Sequence, residues 1–457
     1  MTEKNTQKVG MDFTSGPIMP MLVSFAIPFL LGHLLTSLYN TVDSMIVGHL
    51  IGSAGFVAVT VGGKTLNLFT YISMSFSTGG QVYVAQLEGA KRRDRLNRAI
   101  GTLFTEVLFV SILIGILSFI NADNIVRLLD TPPEAFDQAV SYLKITAIGL
   151  PFVFGYNAIS SILRGMGDSR RPLIFVAIAT VFNIIGDIVF VMVFHMGVAG
   201  TALATVLGQF ISLAFSLVVL YRERERFGFD FRLKSFIPEP EVLKSLVKIG
   251  LPLAFRDLLV FGTQLVLVGW VNGFGVTEAA AYSVADRIFH VTVVVTISFR
   301  QSSAAMMAQN IGAGEYGRVT GIMKACYKIC GVMVVLLCIA GLCFPRQIFM
   351  IFSEDPAVLA YAAAYMKVCC MTYILSNIGG PLEGLVVATG RSRLNLLAGV
   401  LDSVVFRLGL GWICAYTLGL RGVGLFMGDG FARFAPIIVY SIYYFSGKWK
   451  NNKKVID

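Results

Sequence analysis

Residues 27–48, IPFLLGHLLTSLYNTVDSMIVG, decide the fold class. The run is about as long as the ~20 residues that cross a bilayer as a helix. No Lys, Arg or Glu interrupts it; one proline, Pro28, and one carboxylate, Asp43, do. A carboxylate inside such a run is costly, so Asp43 marks a place where chemistry is expected.

The same apolar texture continues outward from this stretch. Of the 457 residues, 56% are apolar and only 14% charged, and the mean hydropathy is +0.74. A soluble domain carries about 25% charge, so soluble, disordered and disulfide-rich secreted classes are excluded. The first 17 residues, MTEKNTQKVGMDFTSGP, are polar and lack the apolar core of a signal peptide. The first span is therefore expected to remain in the protein.

Apolar runs and their breakers predict an all-α polytopic membrane protein with twelve transmembrane helices. Six spans lie near 18–47, 54–87, 99–120, 138–163, 171–194 and 199–221. Six more lie near 248–274, 279–309, 319–344, 357–385, 393–418 and 422–446. Alternate loops are basic: Lys91, Arg92, Arg93, Arg95 and Arg98 follow span two, and Arg164, Arg170 and Arg171 follow span four. The longest loop holds seven basic residues between Arg222 and Lys248, and the tail adds Lys448, Lys450, Lys453 and Lys454. The intervening loops are short or acidic. The positive-inside rule then places both termini in the cytoplasm of a cell-membrane protein.

The long loop divides the chain into related halves. Ala85-Gln86-Leu87-Glu88-Gly89-Ala90 matches Ala308-Gln309-Asn310-Ile311-Gly312-Ala313, Gly167-Asp168-Ser169 matches Gly390-Arg391-Ser392, and Ile27-Pro28 matches Leu251-Pro252. Six spans per half is an even number, so both halves enter the membrane in one sense. Two six-helix lobes related by a pseudo-twofold axis along the membrane normal are expected, with a cavity between them. The expected boundaries are a cytoplasmic tail over 1–17, an N-lobe over 18–221, a cytoplasmic linker over 222–247, a C-lobe over 248–446 and a basic tail over 447–457.

Polar groups within the first-half spans converge. Asp43 near the end of span one, Asp187 near the end of span five and Thr205 near the start of span six fall about 6–10 Å below one surface at 1.5 Å per residue. Asn183 shares a helical face with Asp187, and Tyr39 with Asp43. These oxygens suit a hard cation such as Na⁺ at Asp43 and Asp187; the same carboxylates could equally exchange protons, because two buried charges of one sign repel. Each group satisfied separately by backbone or water is the structural alternative.

At these residues the chain resembles the multidrug and toxic compound extrusion (MATE) transporters, within the larger superfamily of multidrug, oligosaccharidyl-lipid and polysaccharide exporters. The similar stretches are IPFLLGHLLTSLYNTVDSMIVG, LRGMGDSRRP, FNIIGDIVF, GVAGTALAT, AQNIGAGEYGR and ATGRSR. The resemblance implies a twelve-helix antiporter driven by H⁺ or Na⁺, without cofactor, and a cation site at Asp43, Asn183, Asp187 and Thr205. Asn157 is a further candidate ligand.

The second-half spans hold five acids and five arginines: Arg256, Asp257, Asp286, Arg287, Arg300, Glu383, Asp402, Arg407, Asp429 and Arg433. Asp429 and Arg433, four apart, can pair on one face. Asp402 and Arg407, five apart, are expected to point differently and find partners on other helices. Either these groups stiffen the bundle, or some, with Asp257, Arg287, Glu383, Asp402 and Arg407 foremost, line the cavity and meet an anionic or zwitterionic substrate. Pro28, Pro151 and Pro252 are candidate hinges.

Secondary active efflux of small organic compounds by alternating access is the function expected. A flippase for a lipid-linked anionic amphiphile is the alternative, and a non-transporting receptor or scaffold stands further off. No enzymatic motif or nucleotide-binding loop is present. The expected partners are a small-molecule substrate and the lipid bilayer, with no nucleic acid and no obligate protein, in a monomer.

Overall fold

A computed structural model describes residues 10–451 and 454–457. Residues 1–9 of the expected amino-terminal tail, and Lys453 of the basic tail, lie outside the described residues. Among the described residues the secondary structure is helical, with no strand.

Twelve long helices among the described residues account for the expected spans. They are α1 (Ile18–Leu50), α2 (Ser53–Gly89), α3 (Leu96–Ile120), α4 (Pro133–Gly165), α5 (Arg170–Val193) and α6 (Gly197–Arg222). The second six are α7 (Pro240–Asn272), α8 (Val276–Ala313), α9 (Tyr316–Cys343), α10 (Ala362–Ala388), α11 (Ser392–Thr417) and α12 (Arg421–Phe445). Ten are individually apolar enough to cross a membrane. The other two, α2 and α10, are long but more polar. Many of their residues are buried among neighbouring helices, where hydroxyls and amides meet protein rather than lipid.

Large apolar side chains cover the outside: Phe109, Ile116, Ile148, Val335, Leu336 and Ile339 are all exposed. A surface of that kind fits lipid and not water.

The chain folds into two compact units. Of the described residues, the first holds 10–12, 27–254 and Ile456; the second holds 13–26, 255–451, 454–455 and Asp457. The chain therefore passes between units within α1 beside Pro28, and within α7 beside Pro252. A proline withdraws a helical hydrogen bond and permits bending at those places. In the first unit α4 is the central helix, packed on α2, α3 and α6. The segment after α6 folds onto α3, where Thr105 donates to the carbonyl of Phe236 at 2.5 Å.

In the second unit α10 packs between α8 and α9. The repeated AQN motif at the end of α8 holds the chain before α1. Gln309 accepts from the Phe13 amide at 2.7 Å, while Asn310 and Arg318 donate to the Phe13 carbonyl at 3.0 Å.

Two corresponding helices widen locally. In α5 the stretch Ile188–Val193 is a π-helix, and in α11 Leu401–Leu410 and Ile413–Thr417 are. Where α11 meets α12, a Cβ built on Gly428 would lie 2.4 Å from Gly411 Cα and 2.6 Å from the Arg407 carbonyl. Gly428→Ala is thus expected to cost about 1–3 kcal/mol by overpacking, read as a lowered melting temperature in detergent, while Gly262→Ala, facing open space, leaves it unchanged.

Candidate cation site

The polar residues of α1, α5 and α6 meet in the first unit, near the end away from the basic loops. Asp43 lies about seven residues from the end of α1, Asp187 about six from the end of α5 and Thr205 about eight from the start of α6, so all three sit about 9–12 Å in. Asp43 is 8% exposed and Asp187 fully buried. Their carboxyl groups are within hydrogen-bonding reach of one another. Asn183 Nδ2 donates to Thr205 Oγ1 at 3.3 Å, and Thr205 in turn donates to the Thr201 carbonyl at 3.0 Å. Tyr142 on α4 lines the same cavity as Thr205.

The donors in this cluster run out before the acceptors do. Asp43 Oδ1, Asn183 Oδ1 and both carboxylate oxygens of Asp187 are buried with no hydrogen-bond partner. Two carboxylates cannot bond each other unless one carries a proton, and neither can hold a buried charge without compensation. A proton shared by the pair satisfies two of these oxygens, whereas a bare cation ringed by them can engage all four at once. Oxygen-only ligation matches hard cations.

Beside the pair opens a cavity of about 250 Å³, lined by Tyr39, Asn40 and Asp43 of α1, Thr60, Lys64 and Asn67 of α2, Tyr142 and Thr205, among others. The π-helical stretch begins immediately after Asp187, and such widened turns recur at functional sites.

Of the residues singled out from the sequence, Tyr39, Asp43, Asn183, Asp187 and Thr205 are brought together here. Asn157 is not. It sits on α4 about 22 Å along the helix from Tyr142, where its Nδ2 donates to Ser73 at 3.1 Å. Lys64, Asn67 and Tyr142 were passed over. Lys64 carried the same signal as Asp43, an ionisable group inside an apolar span.

The second-half charges assemble into two ion triads. Arg407, 1% exposed, donates to Asp402 at 2.9 Å and also bonds Asp429. This corrects the expectation for the pair five residues apart. A π-helix bonds i to i+5 and winds more slowly than the 3.6 residues per turn of an α-helix, which brings Asp402 and Arg407 towards one face. Asp429 takes Arg407, and not Arg433, as its close ion partner. Glu383 accepts from Arg256 at 2.6 Å and Arg300 at 2.5 Å, and Arg256 lies 3.9 Å from Asp257. Arg287 is exposed, whereas its neighbour Asp286 is 3.4 Å from His290.

Residues 28–189 and 252–413 each match the MatE family model. The chain belongs to the MATE transporter family. The two matched stretches begin at Pro28 and Pro252, the prolines that headed the internal repeat, so the family model covers both halves alike. MATE proteins are secondary transporters and not enzymes. The chain is similar, at 27% identity over 97% of its length and 98% of the relative's, to the probable multidrug resistance protein YpnP of Bacillus subtilis. It is 22% identical to the multidrug export protein MepA of Staphylococcus aureus, covering 93% of this chain and 94% of that one. An outward-facing multidrug resistance MATE transporter superposes with a TM-score of 0.88 at 21% identity, over 99% of this chain and 100% of the other. This MATE fold is a twelve-helix membrane fold in two lobes.

Proposed function

We propose that this MATE chain exports small organic compounds in exchange for H⁺ or Na⁺ by alternating access, with the cation held between Asp43 and Asp187. The observation that carries the reading is the set of four buried oxygens without donors at Asp43, Asn183 and Asp187. A cation bound there removes one of the pair's two negative charges and draws α1, α5 and α6 together, whereas the empty pair repels. The ion biases the conformational equilibrium only through that difference in affinity. The names of the relatives, multidrug resistance and multidrug export proteins, support drugs as the cargo. Pro28 lies in the helix that carries Asp43, so a bend there would couple ion binding to the course of α1; Pro252 stands at the matching place in α7, and Pro151 serves within α4. On this reading the protein is a monomer in the cell membrane, with both termini cytoplasmic and the donor-poor pair towards the outside.

The flippase alternative drew on free arginines in the second half. Arg256, Arg300 and Arg407 are each engaged by carboxylates, which leaves little free positive charge for a pyrophosphate; Arg287 is the candidate contact that remains.

The reading is tested in proteoliposomes by imposing H⁺ and Na⁺ gradients separately and following export of ethidium and of an anionic dye. Export driven by one gradient and not the other names the ion. Export indifferent to both removes the antiport reading. Lys64 tunes the outcome: its ammonium shares the cavity with Asp43 and repels organic cations by about 1 kcal/mol at close range in water-like surroundings. Lys64→Gln is therefore expected to raise ethidium export relative to the anionic dye roughly fivefold.

A further inference from the structure

The first unit holds another buried carboxyl that the Asp43–Asp187 pair does not use. Glu106, in the middle of α3, is 4% exposed, and neither of its carboxylate oxygens has a hydrogen-bond partner. Its surroundings follow from the helix register. Gly80 of α2 faces Leu103 of α3, a Cβ there lying 2.3 Å from the leucine side chain; the two helices are antiparallel, so Ser77 stands level with Glu106. Gly115 of α3 faces the Ala147 carbonyl of α4 at 2.9 Å, which puts Glu106 level with Tyr156. Asn157 bonded to Ser73 ties α4 to α2 one turn from Ser77.

Everything at this level is neutral. The Ser77 and Ser160 hydroxyls are buried and without a partner. The charged groups of the packed helices lie elsewhere. On α2, Lys64 belongs to the cavity at the far end and Glu88 pairs with Arg93. On α4, Glu134 and Asp137 stand near its start, about 28 Å or more along the helix from Tyr156, Lys144 pairs with Asp123, and Arg164 donates to Gln81 at 3.3 Å. On α3 itself, Arg98 lies 3.6 Å from Glu239 near the basic end. None of these ion pairs includes Glu106. An ionised carboxylate with neither donor nor counterion in a membrane interior is costly, so in this conformation Glu106 keeps its proton.

We infer that Glu106 is a second proton-binding site, distinct from Asp43 and Asp187, which loses its proton to water when the α2–α3–α4 contact is hydrated during transport. The inference rests on the exchange reading above in that it adds one proton to the cycle. The O–H bond of Glu106 breaks, the proton leaves towards the basic end and the carboxylate is reprotonated when the helices close again. Along α4 the site lies about 21 Å from the level of Tyr142, too far for direct transfer between the two carboxyl sites.

Three measurements on the full chain in nanodiscs test this. Infrared spectra are expected to show a protonated-carboxyl band that survives in Asp43→Asn and vanishes in Glu106→Gln. In weak buffer with a pH dye, ethidium binding is expected to release one proton fewer from Glu106→Gln than from wild type. On wild type alone, which needs no variant to fold, a hydrophobic carbodiimide mapped by mass spectrometry is expected to label Glu106 in the free protein. Release that is present in wild type and unchanged in Glu106→Gln makes Glu106 a structural acid and overturns the assignment alone. Release absent from wild type overturns it together with proton exchange, and absence of both band and label overturns the protonated state.

Discussion

Ion-driven export falls by about a hundredfold in Asp187→Asn, the size expected when close to 3 kcal/mol of coupling is lost. Asparagine keeps the shape of the acid but fixes the pair at a single charge, as when the cation is bound, so the gradient no longer distinguishes the two states of the transporter. Asp43→Asn has the same outcome, and the double variant is no worse than either single one, because the two acids act as one binding unit. Thr205→Ala is milder. It removes a hydroxyl that orders Asn183, and about 1 kcal/mol of hydrogen bonding corresponds to roughly a fivefold loss. The measurement is the initial rate of ethidium export under each gradient, beside ethidium affinity at equilibrium. Retained affinity with lost driven export locates the defect in coupling. Driven export in Asp187→Asn at the wild-type rate would show that the donor-poor cluster is a packing feature.

The meeting of the polar residues of α1, α5 and α6 was legible because helix geometry is nearly linear. Counting 1.5 Å per residue from the span ends set Asp43, Asp187 and Thr205 at one depth, and the fold brought them together. Asn157 failed the same arithmetic, since it lies far along α4 from Tyr142. Lys64 and Glu106 could have been flagged by the rule that singled out Asp43, but a lysine near a span end reads as a charge reaching for the interface, and a lone glutamate has no partner in the sequence to draw notice. The Asp402–Arg407 contact was illegible for another reason. Face-sharing was judged on a repeat of 3.6, and nothing in LDSVVFRLGL announces that its backbone adopts the wider π repeat. The repeat itself was legible: three short matches located the two halves that the family model also pairs.

That π segment carries the second large effect. Arg407→Met is expected to destabilise the protein by about 3–5 kcal/mol, because Asp402 and Asp429 remain buried with their shared counter-charge gone. Both acids are under a tenth exposed, so water cannot replace the guanidinium. The rescue is specific: Asp402→Asn with Asp429→Asn, combined with Arg407→Met, removes the stranded charges and recovers most of the loss, since an ion triad exchanged for neutral side chains of similar volume is often close to neutral in stability. Thermal unfolding in detergent of the wild type, the single variant and the triple variant reads this directly. A structural triad predicts that the triple variant, once stable, transports both cationic and anionic dyes much as wild type does. Were Arg407 instead a substrate contact, Arg407→Met would keep its melting temperature and lose the anionic dye alone. Full burial of the arginine and its two acidic partners argues that α11 is held at its widened turn by charge, and that selection among substrates is exercised elsewhere.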